Sequence, residues 1–494
     1  MLECVPRPRR ASPPGAHEQV LMSVSPRPRN PALAAFLSFL FPGLGQAYAG
    51  QRRLAAILAA PVVLLAVGGV LVATLFVDQL RNDLLSASFL TAALVADVGL
   101  MGWRLFAIAQ VGFDRPRRMA TIGLVVILLA GTVAMHAWAG VVVGRLNTTL
   151  GDVFSGSGYG GPVIDRPNGG PLNRPEYRWD GTERINFLLL GVDAGPGRDE
   201  SLTDTILAVS VDPVAKTAAM ISVPRDTGFV PLPDDSVYPD GLYPKKINEL
   251  ATEASQNPEL WCPDLPPASA EACGLRTLER SIGLYLGIAI QFYAQVDLEG
   301  FAEMIDAVGG VRLCLPGKMV DPEYGGPTWP RVGIELPAGC SQYDGVHTLA
   351  YARIRKGWIE LPDSTLDYQN DFKRAERQQE VLLQLRHEFA SADIFFELPG
   401  LLQAVGTTVS TDFPRSKAGD LASLLPLITG PDIRRVVLGY PEFVDAPIDP
   451  DLNYLLIARR DDVRAGMQLL FGPDVALDGW YLGSESGGPP PADE

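Results

Sequence analysis

The residues that could do chemistry are acids and arginines. Asp193 closes the apolar run INFLLLGVD, Asp204 immediately precedes a second run, TILAVSVD, and Arg225-Asp226 follow a third, TAAMISV at 217–223. Short links of this kind join antiparallel neighbours. The end of the first strand, the start of the second and the end of the third then share one sheet edge, so Asp193, Asp204, Arg225 and Asp226 are expected to converge. Paired aspartates offer hard oxygen ligands to a divalent cation such as Mg²⁺, particularly where phosphate supplies the remaining ligands. Arg225, Arg353, Arg355, Arg374 and Arg377 supply forked donors for phosphate oxygens. Metal plus arginines is the equipment of phosphoryl transfer. Histidine occurs four times, at 17, 136, 347 and 387, and no GxSxG elbow, Walker A loop or HExxH string occurs. Taken singly, each residue also has a bland reading: turn aspartates, a solvated YARIRKG edge, the wet face of a helix.

The elements that must position these residues alternate. A helix is expected over 275–287, a strand over 290–297, a helix over 298–310 and a strand at VRLCL. Asp371 to Ala390 forms the clearest amphipathic helix. Val381, Leu382, Leu385 and Phe389 face inward, and Arg374, Arg377 and Gln378 share one surface patch. A helix near 417–428, a strand at Arg435 to Gly439 and a helix near 451–470 follow. The expected class is α/β, a mixed sheet flanked by helices, over 184–480.

Composition divides the 494 residues. Residues 1–150 hold 13 Lys/Arg and 6 Asp/Glu, whereas the overall net charge is −16. A basic, apolar first third joined to an acidic remainder points to a membrane part and a soluble part, and the acidic pI near 4.8 argues against nucleic acid as a partner. Within a membrane region at 31–144, runs at 54–77, 84–103 and 119–144 fit the length of bilayer-crossing helices. The Pro- and Gly-broken 31–50 stretch, with its PGLGQAYAG string, is expected to be interfacial or re-entrant. Arginines cluster before the first span and between the second and third, so the disordered basic segment 1–30 is expected in the cytoplasm and everything after the third span outside. Residues 145–183 read as a flexible linker and 481–494 as a disordered tail. Four cysteines fall on the expected outer side. Cys262, Cys273, Cys314 and Cys340 suit two disulfides, 262–273 and 314–340 being the shortest closures; a zinc site competes, but no CxxC occurs.

The ordered strings INFLLLGVDAG, TDTILAVSVDPVAKTAAMISVPRDT, KINEL, FYAQVDLEGFAEMIDAVGGVRLCL, GCSQYDGVHTLAYARIRK and DFKRAERQQEVL resemble the LytR–CpsA–Psr family over roughly residues 184–390. The resemblance implies a membrane-anchored extracytoplasmic enzyme of the bacterial plasma membrane. Such enzymes are phosphotransferases that move a glycopolymer from polyprenyl pyrophosphate to peptidoglycan or another cell-wall glycan, releasing polyprenyl phosphate. It also implies an apolar groove for the polyprenyl chain and Mg²⁺, with Mn²⁺ as a substitute, on Asp193 and Asp204. Arg225, Arg353, Arg355 and Arg374 then act on the diphosphate, with Asp226 among the catalytic groups, and Lys246, Asn248, Arg377 and Gln378 bind substrate. Asp226 and Asp371 are both candidates for the general base. Two positions depart from the family pattern: Leu202 stands where Arg is frequent, leaving Arg198 to reach in from the loop, and Thr348 replaces Ala. A hydrolase acting on the same diphosphate and a non-catalytic lipid-binding scaffold remain as alternative readings.

Overall fold

The computed structural model describes residues 30–75, 83–113, 119–154, 182–193, 202–233, 237–263, 270–325, 333–389, 402–428, 433–446 and 455–471. The basic segment before residue 30, most of the expected linker, the 194–201 loop with Arg198, and the tail lie outside these residues. The chain divides into two compact units, one formed by 1–69 with 99–136 and the other by 70–98 with 137–494.

Three helices are long and apolar enough to cross a membrane: Arg52–Val72, Ala87–Gly112 and Met119–Val153. They correct the expected boundaries. The second continues past Trp103 to Gly112, because Arg104 is accommodated by donating to the Phe39 carbonyl at 2.7 Å. The third runs on to Val153, so the first residues of the expected linker are helical. No proline or glycine cluster stops it before Gly151, and Thr149 fastens its last turns by donating to Leu402 O at 2.6 Å. The 31–50 stretch forms two short helices, Pro31–Leu40 and Leu44–Tyr48. Gly43, at φ +98°, makes the break; a Cβ on Gly45 would fall 2.0 Å from Ala34 O. Gln46 is fully buried and ties this hairpin to Ala107 O at 2.8 Å.

The second unit is built on a six-stranded mixed sheet. Its core is β1 (Ile185–Asp193), β2 (Leu202–Asp212) and β3 (Thr217–Ser222), antiparallel neighbours in that order. Phe292–Asp297 adds parallel to β1, Val409–Thr411 beyond it, and Arg434–Val437 adds parallel to β3. Central strands covered on both faces read as nearly continuous apolar runs. Leu188, Leu190, Ile206, Ala208 and Ile221 pack toward the helix Ala270–Leu286, while Phe187, Leu207, Val209 and Met220 pack on the other face against Phe292 and Phe413. A separate apolar cluster gathers Ile305, Leu313, Met319, Leu336, Tyr351, Ile354, Ile359 and Val381. It lies between the helix Asp371–Phe389 and a four-stranded sheet made of Ile334–Leu336, Lys318–Asp321, Trp358–Glu360 and Leu366–Tyr368.

Two further expectations need correction. Where one helix was expected near 451–470, Leu456–Ala458 is a strand and the helix is Arg460–Phe471; the strand pairs with Thr227–Gly228, which overrides the local helical pattern. The proposed surface patch on the Asp371–Phe389 helix is buried. Arg374 and Arg377 are 6% and 5% exposed, because this helix packs between the sheet and the helix Gly345–Arg353. Both disulfides form as paired from spacing, Cys262–Cys273 and Cys314–Cys340, with no zinc cluster among the described residues. Cys314 and Cys340 face each other across two antiparallel strands.

At the sheet end remote from Asp193, Asp412 accepts the Tyr293 N–H at 2.9 Å. Burial pushes its carboxyl up to about 7, against the opposing pull of that N–H. A carboxyl raised on folding stabilises the fold fully below its ordinary value, and that contribution is lost as pH climbs through the folded value. Asp412→Asn keeps the acceptor oxygen and removes the titration. Melting temperature in the parent should therefore fall between about pH 4 and pH 7 and stay level in the variant. Equal slopes in both proteins would contradict this.

Candidate active site

The register of β1 on β2 slips once. Gly191 pairs with Thr205 and Val192 with Thr203, so Asp204 is the extra residue of a bulge. Bulges re-aim a side chain at the end of a ladder. Glycine is required opposite, since a Cβ on Gly191 would come 2.8 Å from Thr205 Oγ1. Asp193 lies on the last rung of β1, paired with Leu202; its side chain lies outside the described residues.

The turn after β3 carries Arg225 and Asp226. It is clamped from behind, as Asn248 N donates to Arg225 O at 3.3 Å and Lys246 Nζ pairs with Asp226 Oδ1 at 2.9 Å. The lysine of the KIN string thus holds the turn by charge; the contact at Asn248 is made by its backbone and does not depend on the side chain. Arg225 Nη1 donates to Asp204 Oδ1 in a close ion pair. Its Nε stands 3.7 Å from Asp371 Oδ1 and 4.0 Å from Asp226 Oδ1. Arg374 reaches the same place from the Asp371–Phe389 helix. Its Nη1 is 3.1 Å from Asp371 Oδ1, and its Nη2 donates to the Asp204 backbone carbonyl at 3.1 Å.

Three carboxylates (Asp204, Asp226, Asp371) thus meet three cations (Arg225, Lys246, Arg374), and the described cluster is electrically balanced. Burial alone would lower the Arg225 guanidinium, but Asp204, Asp371 and Asp226 outweigh it and raise it. For Arg374 burial dominates and lowers it, opposed by Asp371 and reinforced by Arg225. Arg374 Nε and Asn248 Oδ1 are buried here without a hydrogen bond, and Arg225 Nε and Asp371 Oδ1 are held only by ion pairs without one. Buried polar groups are ordinarily paired, so a concentration of orphans marks a place shaped for a polar ligand.

Arg377 and Gln378 point elsewhere. The Arg377 Nε donates to Tyr351 O at 2.6 Å, Nη1 to Gln369 Oε1 and Nη2 to Ile354 O, with the guanidinium 5.5 Å from the Tyr351 ring centroid. Gln378 Nε2 donates to Ala352 O at 3.3 Å. Together they cap the carboxyl end of the helix Gly345–Arg353. That end carries the half-buried Arg353 and, two residues on, the exposed Arg355. Arg353 lies near Tyr324, whose hydroxyl is raised by burial against the opposing charge of Arg353. The structure therefore brings together Asp204, Arg225, Asp226, Lys246, Asp371 and Arg374, places Arg353 at the end of the helix Gly345–Arg353 and Arg355 just beyond it, and turns Arg377 and Gln378 to the protein's own carbonyls. Gln369 and Tyr351, which complete that anchor, carry no sequence signal beyond proximity to the arginines.

No group of three or more potential metal ligands occurs among the described residues. Arg225 engages one oxygen of Asp204, and the β1–β2 register brings Asp193 to the same strand ends. Two carboxylates fit a hard cation that draws its remaining ligands from phosphate oxygens and water.

A family model described as the LytR_cpsA_psr family matches residues 168–438. A polyisoprenyl-teichoic acid–peptidoglycan teichoic acid transferase, TagU, from Oceanobacillus iheyensis is 27% identical over 241 residues, covering 48% of this chain and 61% of the relative. The regulatory protein MsrR of Staphylococcus aureus is 29% identical over 237 residues, covering 47% of this chain and 58% of the relative. The matched region thus spans about three-fifths of the length of these curated relatives. Among solved structures, B. subtilis TagV has a TM-score of 0.41 at 22% identity, over 58% of this chain and 97% of TagV.

Proposed function

Because the chain belongs to the LytR–CpsA–Psr family, whose model covers more than half of it, we propose that it is a membrane-anchored phosphotransferase. It moves a glycopolymer from a polyprenyl-pyrophosphate donor onto peptidoglycan or another cell-wall glycan and releases polyprenyl phosphate. The observation that carries this reading is the balanced cluster of arginines and carboxylates with its buried unpaired atoms. The naming of a relative as a teichoic acid transferase supports the choice of reaction class.

In this reading the donor diphosphate sits against the guanidinium groups of Arg225 and Arg374, beside the carboxylates that surround them. Arg225 and Arg374 offer it their free N–H groups, Lys246 steadies the turn that carries Arg225, and Arg353 and Arg355 approach from their loop. The family resemblance calls for an apolar groove for the isoprenoid tail; the cluster that holds Tyr351 and Ile354 is packed core and is not itself that groove. An acceptor hydroxyl oxygen bonds to the sugar-proximal phosphorus, and the bond from that phosphorus to the bridging oxygen breaks. The products are a phosphodiester and polyprenyl phosphate, and no nucleotide is consumed. Asp226 and Asp371 are the carboxylates beside Arg225 that can take the hydroxyl proton. When bound to Asp193 and Asp204, Mg²⁺ or Mn²⁺ would offset charge on the diphosphate. The positive-inside rule, applied to the basic N-terminal segments, supports an amino terminus in the cytoplasm and this domain outside.

Chelation with EDTA is expected to cut transfer by about 100-fold, with Mg²⁺ or Mn²⁺ restoring it. The deciding assay supplies a polyprenyl-diphosphate-linked glycan with and without a wall-glycan acceptor. Acceptor-dependent formation of a phosphodiester supports the reading. Equal consumption of the diphosphate without acceptor would make the protein a hydrolase.

A further inference from the structure

The short hairpin formed by Trp358–Glu360 and Leu366–Tyr368 is flanked by the site at both ends. Arg355 precedes Trp358 by three residues, and Tyr368 precedes Asp371 by three. Three residues of extended chain span about 10 Å. The hairpin faces therefore lie within a short oligosaccharide's reach of Arg225 and Asp371.

One face of this hairpin belongs to the core: Ile359 is 7% exposed, beside Met319 and Leu336. The other carries Trp358 directly opposite Tyr368, with Glu360 opposite Leu366 in the next row. Tyr368 is 65% exposed and Leu366 45% exposed, although both sit on a rigid edge. Leu361 N donates to Thr365 O at 2.9 Å and Gln369 N to Gly357 O at 2.9 Å, closing the hairpin at both ends. Trp358 Nε1 is 3.3 Å from Glu360 Oε1, which fixes the orientation of the indole. Farther along the same face, Lys318 pairs with Glu335 at 2.7 Å. An exposed tyrosine ring opposite a half-buried, pre-oriented indole, bordered by carboxylates, suits the apolar faces and hydroxyl edges of sugars. The charge on this face selects among occupants. One lysine against two glutamates would repel an anionic polymer or an anionic lipid surface, each of which calls for excess Lys and Arg. A neutral glycan meets no such penalty.

We propose that this face is the acceptor subsite: Trp358 and Tyr368 stack on the sugar rings of a neutral wall glycan and present its hydroxyl to the cluster at Arg225 and Asp371. This rests on the transferase reading above and names its second substrate's docking surface.

The full-length protein in detergent micelles is titrated calorimetrically with soluble β-1,4-linked N-acetylglucosamine oligomers. Trp358→Ala and Tyr368→Ala are expected to bind them about tenfold more weakly, with unchanged melting temperature. Tyr368→Phe, which keeps the ring, should bind as the parent does. In the transfer assay the alanine variants should raise the acceptor KM by the same factor and leave the donor KM unmoved. Parental affinity in both alanine variants, or no saturable binding by the parent, overturns the subsite. So does quenching by brominated lipids in nanodiscs that vanishes in Trp358→Phe, since the face would then lie in the bilayer. If Trp358→Ala fails to fold, the exposed Tyr368→Ala decides alone. Sugar binding that survives in a protein unable to turn over any polyprenyl diphosphate would sink the transferase reading and leave the glycan surface standing.

Discussion

Arg225→Ala is expected to lower transfer by about 1,000-fold or more, the scale on which single charge-stabilising donors act in phosphoryl and acyl transfer. The geometry explains the size. Arg225 is the hub of the cluster: it pairs with Asp204 and stands within 4.0 Å of Asp226 and Asp371. Its Nε makes no hydrogen bond and only long ion pairs, 3.7 Å from Asp371 Oδ1 and 4.0 Å from Asp226 Oδ1, so a phosphate oxygen could improve on its present partners. Alanine removes that donor and leaves three carboxylates facing only Arg374 and Lys246. The folded state should therefore lose about 3 kcal/mol, as when one member of a buried ion pair is deleted, while remaining folded. Arg225→Lys should recover the stability in part and the activity hardly at all, because a point-like ammonium cannot face Asp204 and a diphosphate together. Single-turnover transfer and thermal melts of the two variants check both halves. Full-rate transfer by the alanine variant would remove Arg225 from the mechanism.

Arg377→Ala should act mainly on stability, by about 3–5 kcal/mol. Arg377 is as arginine-like in sequence as Arg374, one helical turn away, yet it donates to Tyr351 O, Ile354 O and Gln369 and is 5% exposed. Burial brings its guanidinium down to about 10, with Tyr351 opposing, so it stays charged at neutral pH. Deleting it orphans carbonyls at the end of the helix that carries Arg353. Melting temperature should fall by roughly 10 °C, and any loss of transfer should follow from disorder of the 353–355 loop. Arg377→Lys should not rescue, since one ammonium cannot span three acceptors. A variant with parental stability and a raised donor KM would instead make Arg377 a direct substrate contact.

These two arginines show what could be read in the sequence. Strand order and the meeting of Asp204 with Arg225 followed from short connections between apolar runs, because antiparallel geometry leaves few alternatives for where the strand ends go. The disulfide pairs followed from loop length. The bulge at Asp204 could not be read, since a register slip depends on the pairing partner as well as on the strand itself. Nor could the divergence of Arg374 from Arg377. Helical spacing puts both on one side of the helix, but which reaches the Arg225 cluster and which becomes a cap is set by the helix Gly345–Arg353, distant in sequence. The strand Leu456–Ala458 was hidden for the same reason: its partner is the turn after Arg225.

On the proposed transferase reading, the balanced cluster bears on which anions the site admits. With each guanidinium already escorted by a carboxylate, the resting pocket has no surplus attraction for stray orthophosphate or for the repeating phosphates of finished polymers. A visitor must displace the resident acids, and one that arrives with its own divalent counter-ion can do so while satisfying them. If the transferase reading holds, inorganic phosphate should be a poor competitor even at concentrations that saturate ordinary arginine sites.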